Sequence, residues 1–342
     1  MKALVLEAYN KLVFKDVEKP IANDDEVLVE IKAVGICGSD VHGMDGSTGR
    51  RIPPIIMGHE ASGVIIETGR NVTGWSIGDR VTFDSTIYKL DDWYTLKGHY
   101  NLSDNRMVLG VSCKDFRRDG AFAQYVTIPF HILYRIPDNV SFEQAAMVEP
   151  VAVALHSVNL SGVKINDTTV VFGSGMIGLF IIQVLKQAGC NVIAVDMLQE
   201  KLDMAKMAGA DIVLNSQTDD VPGEIRKLTS YRGADFAFEA VGITPTIKSA
   251  IESLRKGATL VLVGNLSPSV ELPLQKVVTQ EISVKGSCAI NGEYPAVLDL
   301  ISKGKINVDS MISAVVPLSE GALYFDKLYK KEQGLLKVIL KP

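Results

Sequence analysis

The run Gly173-Ser174-Gly175-Met176-Ile177-Gly178 stands where a β-branched stretch, TTVVF, gives way to an apolar stretch of helical character reaching Ala188. In such a turn the first glycine permits the tight bend and the second lets backbone approach a diphosphate. The third lets the helix pack closely on the strand. A diphosphate would rest on the helix N-terminus, where unpaired N–H groups point outward. The next strand, NVIAVD, ends on Asp196, eighteen residues beyond Gly178. An acid there accepts hydrogen bonds from adenosine ribose hydroxyls and repels a 2′-phosphate. Met197 and Leu198 supply no arginine, so the pattern points to NAD over NADP. The plainer reading of Asp196 is a cap on the following helix. The charge-free run from Thr169 to Leu185 approaches membrane-span length, but glycines in its first half break it into strand, turn and helix.

The surrounding rhythm supports that reading. From about Leu160 the chain alternates strand and helix, with DIVLN, DFAFEAVG, ATLVLVG and ISVKGS as later strands. Six strands predict a doubly wound, mostly parallel sheet. The first 150 residues read instead as short β-branched runs, EVLVEIKAVGIC, SGVIIETG, DRVTF and AFAQYVTI, punctuated by Gly, Pro, Asp and Asn. From Asn291 two helical patterns and a closing strand, LLKVIL, follow. The expected fold class is therefore α/β: a β-rich domain over 1–150, completed by 291–342, and a doubly wound parallel-sheet (Rossmann) dinucleotide-binding domain over 151–290.

Composition narrows the function classes. Of 342 residues, 47% are apolar and 22% charged, with a net charge of −5 and no long basic block, which speaks against nucleic-acid binding. Cys37, Cys113, Cys190 and Cys288 are scattered, which argues against a disulfide scaffold and for a reducing, cytoplasmic setting. The opening MKALVLEAYNKLVF is broken at Glu7 and too short for a signal peptide. Neither a membrane nor a nucleic acid is an expected partner.

Two segments of the β-rich half carry metal-ligating types. GICGSDVH supplies Cys37, Ser39, Asp40 and His42, and GHEASGVIIETGRNV supplies His59 and Glu60. Taken alone, a buried cysteine is usually packing, and a His–Glu pair is more often structural. However, Gly58, His59, Glu60, Gly63, Gly69 and Val72 match G-H-E-x2-G-x5-G-x2-V, and by this signature the chain resembles the zinc-dependent medium-chain dehydrogenases, the zinc alcohol dehydrogenases. The resemblance spans essentially the whole chain and is closest to the polyol branch, sorbitol and galactitol-1-phosphate dehydrogenases, partly through Glu149-Pro150 before the stretch VAVALHSV.

That resemblance implies a GroES-like catalytic domain and an NAD-dependent alcohol or polyol dehydrogenase. It makes Cys37 and His59 zinc ligands and gives the third protein position to Glu60 or Glu149. Thiolate, imidazole and carboxylate with one open position suit catalytic zinc. It makes Ser39 a relay hydroxyl that passes the alcohol's proton through the nicotinamide ribose to His42; the plainer reading of His42 is an exposed loop histidine. It also places Val241, Val263 and Ser287 at strand ends facing the nicotinamide half of the cofactor. Lys201 lies either at the adenosine ribose or simply in solvent. The implied substrate is a small secondary alcohol, with threonine- and butanediol-type dehydrogenases as alternatives, and the implied assembly is a homodimer or homotetramer. A zinc-free reductase or a non-catalytic nucleotide-binding relative would show a broken ligand set, whereas Cys37, His59 and Glu60 are all present. Arg50 and Arg51 read as a solvated loop pair or, second, as contacts for a substrate phosphate or carboxylate.

The stretch KLDDWYTLKGHYNLSD corresponds by resemblance to a lobe that holds a structural zinc through four cysteines spaced C-x2-C-x2-C-x7-C. Here those positions are Lys89, Asp92, Thr95 and Ser103. One catalytic zinc per subunit is expected, with no structural zinc. Trp93, Tyr94 and Tyr100 are expected to bury area in its place, and Lys89 to pair with Asp91 or Asp92.

Overall fold

The strand Thr168–Phe172 is buried almost throughout, and its neighbours explain why. It lies at the centre of a six-stranded parallel sheet, flanked by Asn191–Asp196 and Ala234–Glu239. Ile212–Asn215 extends the first side; Leu254–Leu262 and Ser283–Gly286 extend the second. In chain order this is 3-2-1-4-5-6, the doubly wound arrangement whose switch point lies beside the first strand. The helix Met176–Gln187 buries an unbroken run from Gly178 to Leu185, which accounts for the charge-free stretch without a membrane. No helix is long and apolar enough to cross one.

The computed structural model describes residues 1–342. It contains two compact units: Met1–Glu149 with Ile290–Gly304 and Val308–Pro342, and Pro150–Ala289 with Lys305–Asn307.

In the first unit a seven-stranded sheet centres on Glu26–Gly35. This strand pairs antiparallel with Glu60–Thr68, Tyr125–Pro129 and Lys337–Lys341. The register sets Gly35 opposite Glu60 on one side and Ile339 on the other. Three segments distant in sequence thereby meet at one strand end. The strands Lys2–Ala8 and Ile312–Pro317 have no counterpart in the sequence reading. The first buries Ala3 to Leu6 consecutively, so the alternation that marks a half-buried strand is missing.

The lobe around residues 89–104 departs from expectation in its apolar groups. Trp93 is 63% exposed, and Leu90 and Leu96 also face outward. Lys89 makes no ion pair with Asp91 or Asp92. Instead Asp92 caps the short helix Trp93–Leu96, accepting from the Tyr94 and Thr95 amides, and also accepts from the Asp104 amide. Tyr100 fastens the lobe to the body. Its hydroxyl donates to Asp84 Oδ2 at 2.7 Å and accepts from the Gly292 amide at 2.7 Å, and its ring stacks on Tyr88. Asn291 Nδ2 adds a bond to the Gly98 carbonyl.

Candidate catalytic metal site

Where the strand Glu26–Gly35 ends, the Ile36 amide donates to the Val338 carbonyl, and Cys37 opens the short helix Gly38–Gly43. Cys37 thus lies just past the end of the sheet's central strand. Glu60 begins the paired strand, and His59 immediately precedes it. Pairing of Gly35 with Glu60 brings the two segments together. Ligand atoms of Cys37, His59 and Glu60 lie within 4.8 Å of one another. Gly35 makes room for this: a Cβ there would lie 2.5 Å from Glu60 Oε2.

The surrounding charges are those of a cation site. Burial foremost, then Glu60, pushes the Cys37 thiol up to about 12. Glu149 is pushed up to about 8, again by burial first, with His59 opposing and Glu60 and Cys37 adding. Ionised together, the Cys37 thiol and the Glu60 carboxyl would repel one another, with Glu149 adding to it, and a divalent cation relieves that repulsion. Behind the ring of His59, Nδ1 faces Asp40 Oδ2 at 3.5 Å, and neither atom has a hydrogen-bond partner. Both are buried. An imidazole that ligates metal through one nitrogen usually gives its other N–H to a carboxylate, so the donor set and its backing fit zinc.

The carboxylates differ in place. Glu60 Oε2 receives Lys337 Nζ at 2.5 Å, and Lys337 also donates to the Ile36 carbonyl at 3.0 Å. Burial works against the Lys337 ammonium, but Glu60, Cys37 and Glu149 outweigh it and hold its pKa above the ordinary lysine value. Glu149 stands outside the three-residue cluster, its Oε1 accepting from Ser85 Oγ at 3.3 Å.

Ser39 and His42 lie on the short helix, both exposed. Ser39 Oγ donates to Cys37 Sγ at 3.2 Å, beside the donor cluster. Arg51 departs from both sequence readings: it is 3% exposed, and its guanidinium is taken up by Asp40. Arg50 is exposed. Neither Lys337 nor Arg51 was read from the sequence as part of this site. The only signal for Lys337 is a charge inside an otherwise apolar strand, LLKVIL.

In the second unit, Gly173 has φ of +92°, and a Cβ on Gly178 would sit 1.8 Å from the Gly173 carbonyl oxygen. A Cβ on Gly175 would meet nothing within 4 Å. Space is therefore open at Gly175, the N-cap from which the helix begins at Met176 with no side-chain cap, and this fits a dinucleotide phosphate. Asp196 does not cap the helix Gln199–Met207, whose N-cap is Leu198 with no side-chain bond: Oδ1 accepts from the Met197 and Leu198 amides ahead of the helix, and Oδ2 takes the Ser174 amide at 2.8 Å, bracing the glycine turn. Lys201 is half-buried on the helix Gln199–Met207. Glu239 was not anticipated. Its buried carboxylate accepts from the Val241 and Gly242 amides and the Thr246 hydroxyl, while its carbonyl accepts from the Val263 and Gly264 amides. One residue thus ties together the two loops that carry Val241 and Val263. The Ser287 amide donates to the Leu262 carbonyl, and its hydroxyl is buried without a partner.

The family model described as zinc-binding dehydrogenase matches residues 177–303, and the alcohol dehydrogenase GroES-like domain matches 23–138. D-arabitol-phosphate dehydrogenase of Enterococcus avium is 32% identical, covering 97% of this chain and 94% of its own. Sorbitol dehydrogenase of Halalkalibacterium halodurans is 34% identical, covering 100% of this chain and 99% of its own. The crystal structure of galactitol-1-phosphate dehydrogenase from Escherichia coli superposes with a TM-score of 0.93 at 28% identity, each chain covered to 100%.

Proposed function

This chain belongs to the zinc-dependent alcohol dehydrogenase family, and on that premise we propose that it oxidises a secondary alcohol of a polyol, sugar alcohol or sugar-alcohol phosphate with NAD. The observation that carries the reading is the convergence of Cys37, His59 and Glu60, with Asp40 behind the imidazole. The substrate class is supported by the relatives, which act on arabitol phosphate, sorbitol and galactitol 1-phosphate.

When bound, zinc supplies a Lewis acid that brings an alcohol's pKa toward neutrality, and NAD supplies the hydride acceptor. Cys37, His59 and Glu60 would hold the ion, with Glu149 the alternative carboxylate. Ser39 takes the alcohol's proton, and exposed His42 exchanges it with solvent, a task suited to an imidazole. In sum a secondary alcohol and NAD⁺ become a ketone, NADH and a proton. Open space over Gly175 supports dinucleotide binding, and Asp196 followed by Met197 and Leu198 supports NAD over NADP. Lys89, Asp92, Thr95 and Ser103 form no thiolate set, so the reading is one zinc per chain. Free cysteines fit a cytoplasmic setting, and the outward-facing Leu90, Trp93 and Leu96 fit self-association.

The test pairs metal analysis of unchelated protein with an activity panel. The panel sets NAD against NADP over C4–C6 polyols, their phosphates, sugar acids and threonine. About one zinc per chain and NAD-linked oxidation of a polyol are expected. Protein without metal rejects the site; zinc-loaded protein inactive on every polyol rejects the substrate class.

A further inference from the structure

Arg51 occupies a place that a surface loop arginine has no reason to take. It is 3% exposed, and its partner Asp40 is wholly buried. Nε donates to Asp40 Oδ1 at 3.1 Å and Nη2 to the same oxygen at 2.8 Å, while Nη1 donates to the Arg50 carbonyl at 3.0 Å. Both bonds to Asp40 fall on Oδ1. The other oxygen, Oδ2, is left without a partner and faces His59 Nδ1. Room for the arginine stem is made by Gly43, where a Cβ would lie 2.5 Å from Arg51 Cγ. The Gly38–Gly43 helix is thus shaped around this side chain.

We infer that Arg51 is a positioning residue for the metal site, acting through Asp40. A lone buried carboxylate would turn toward whatever donor lay nearest. Two guanidinium donors on Oδ1 fix the plane of the Asp40 carboxyl and reserve Oδ2 for the imidazole. His59 Nδ1–H is then held on Oδ2, and Nε2 is the nitrogen left for the ion. Arg51 Nη2 also lies 3.4 Å from Ser39 Oγ, so the same guanidinium borders the relay hydroxyl. The inference rests on the zinc reading above, but it assigns a role that the ligand set alone does not.

The test measures zinc affinity by competition with a chromophoric chelator, together with the visible spectrum of the cobalt-substituted protein. Arg51→Met is expected to weaken zinc binding by about 10-fold, the lower end of the effect of losing the partner behind a metal ligand, because Asp40 itself remains. Arg51→Lys is expected to recover part of that loss. Gly43→Ala, which displaces the stem and keeps every charge, is expected to weaken binding and alter the cobalt spectrum. The deciding comparison is Asp40→Asn against Asp40→Asn/Arg51→Met, which leaves neither charge buried alone. Equal affinities show that Arg51 acts through Asp40. A further loss in the double variant, or unchanged affinity in both Arg51→Met and Gly43→Ala, overturns the inference. Wild-type protein that holds no zinc overturns the site reading instead.

Discussion

Lys337 Nζ lies 2.5 Å from Glu60 Oε2, and both side chains are almost wholly buried. The pair joins the closing strand of the chain to the first residue of the strand that follows the metal histidine. Glu60 therefore has two claims on its carboxylate, one from an ammonium and one from the cation that the cluster fits.

Removing the ammonium should expose that competition. Breaking a buried pair leaves an uncompensated charge and costs about 3–5 kcal/mol. Lys337→Met is expected to lose roughly that stability in denaturant unfolding of chelated protein. Zinc should restore more of it than zinc adds to the wild type, because the ion then meets an otherwise unpaired Glu60. An equal zinc increment in both proteins would show that Glu60 does not reach the ion.

Glu60 and Glu149 separate by the same reasoning. Glu60 belongs to the three-residue cluster, whereas Glu149 is held by Ser85 outside it. Glu60→Gln is expected to lower zinc affinity more than tenfold, and Glu149→Gln by no more than a few-fold (about 1 kcal/mol, within the range of one neutral hydrogen bond). The reverse order, read by chelator competition, would make Glu149 the ligand.

Ser39 touches the cysteine sulfur but is not among the metal donors. Ser39→Ala is expected to lower kcat by about 10²-fold or more, the usual scale for a proton-transfer group, with zinc content unchanged. His42→Ala should cost less, because His42 is exposed and added buffer can take over its exchange with solvent. Turnover unaffected by Ser39→Ala would remove the relay.

The legible parts of this molecule are those written locally. The turn from Gly173 to Gly178 and the strands around it could be read because strand, turn and helix follow one another along the chain, each with its own pattern. Cys37, His59 and Glu60 are brought together by sheet pairing, which no local pattern encodes; only the resemblance joined them. Arg51 and Lys337 were beyond reach for a different reason. A charged residue in a sequence reads as solvated, and what buries Lys337 is a carboxylate 277 residues away. Trp93 erred in the opposite sense: its size suggested burial, yet Asp92 and Tyr100 hold the lobe through hydrogen bonds, and the indole stays outside.

Asp84 gives that lobe a pH dependence. Burial pushes its carboxyl up to about 6 from 3.8, against the opposing bonds from the Thr86 amide and the Tyr100 hydroxyl. A carboxyl with a raised native pKa binds its proton more tightly folded than unfolded. Its contribution is fully present below the unfolded value and is lost as pH rises through about 6. Between pH 5 and 8 that loss amounts to roughly 1.4 kcal/mol. Asp84→Asn carries no titrating group, so the stability of the variant relative to wild type should rise by about that amount from pH 5 to pH 8. Zinc is kept saturating in both proteins, so that groups at the metal site contribute equally. The asparagine still accepts from the Thr86 amide, and its own NH₂ can donate to the Tyr100 oxygen, so the anchor keeps its geometry while its titration is removed. Denaturation curves whose wild-type-to-variant difference stays constant across that range would show that Asp84 remains ionised throughout, with the Tyr100 hydroxyl sufficient to hold its charge.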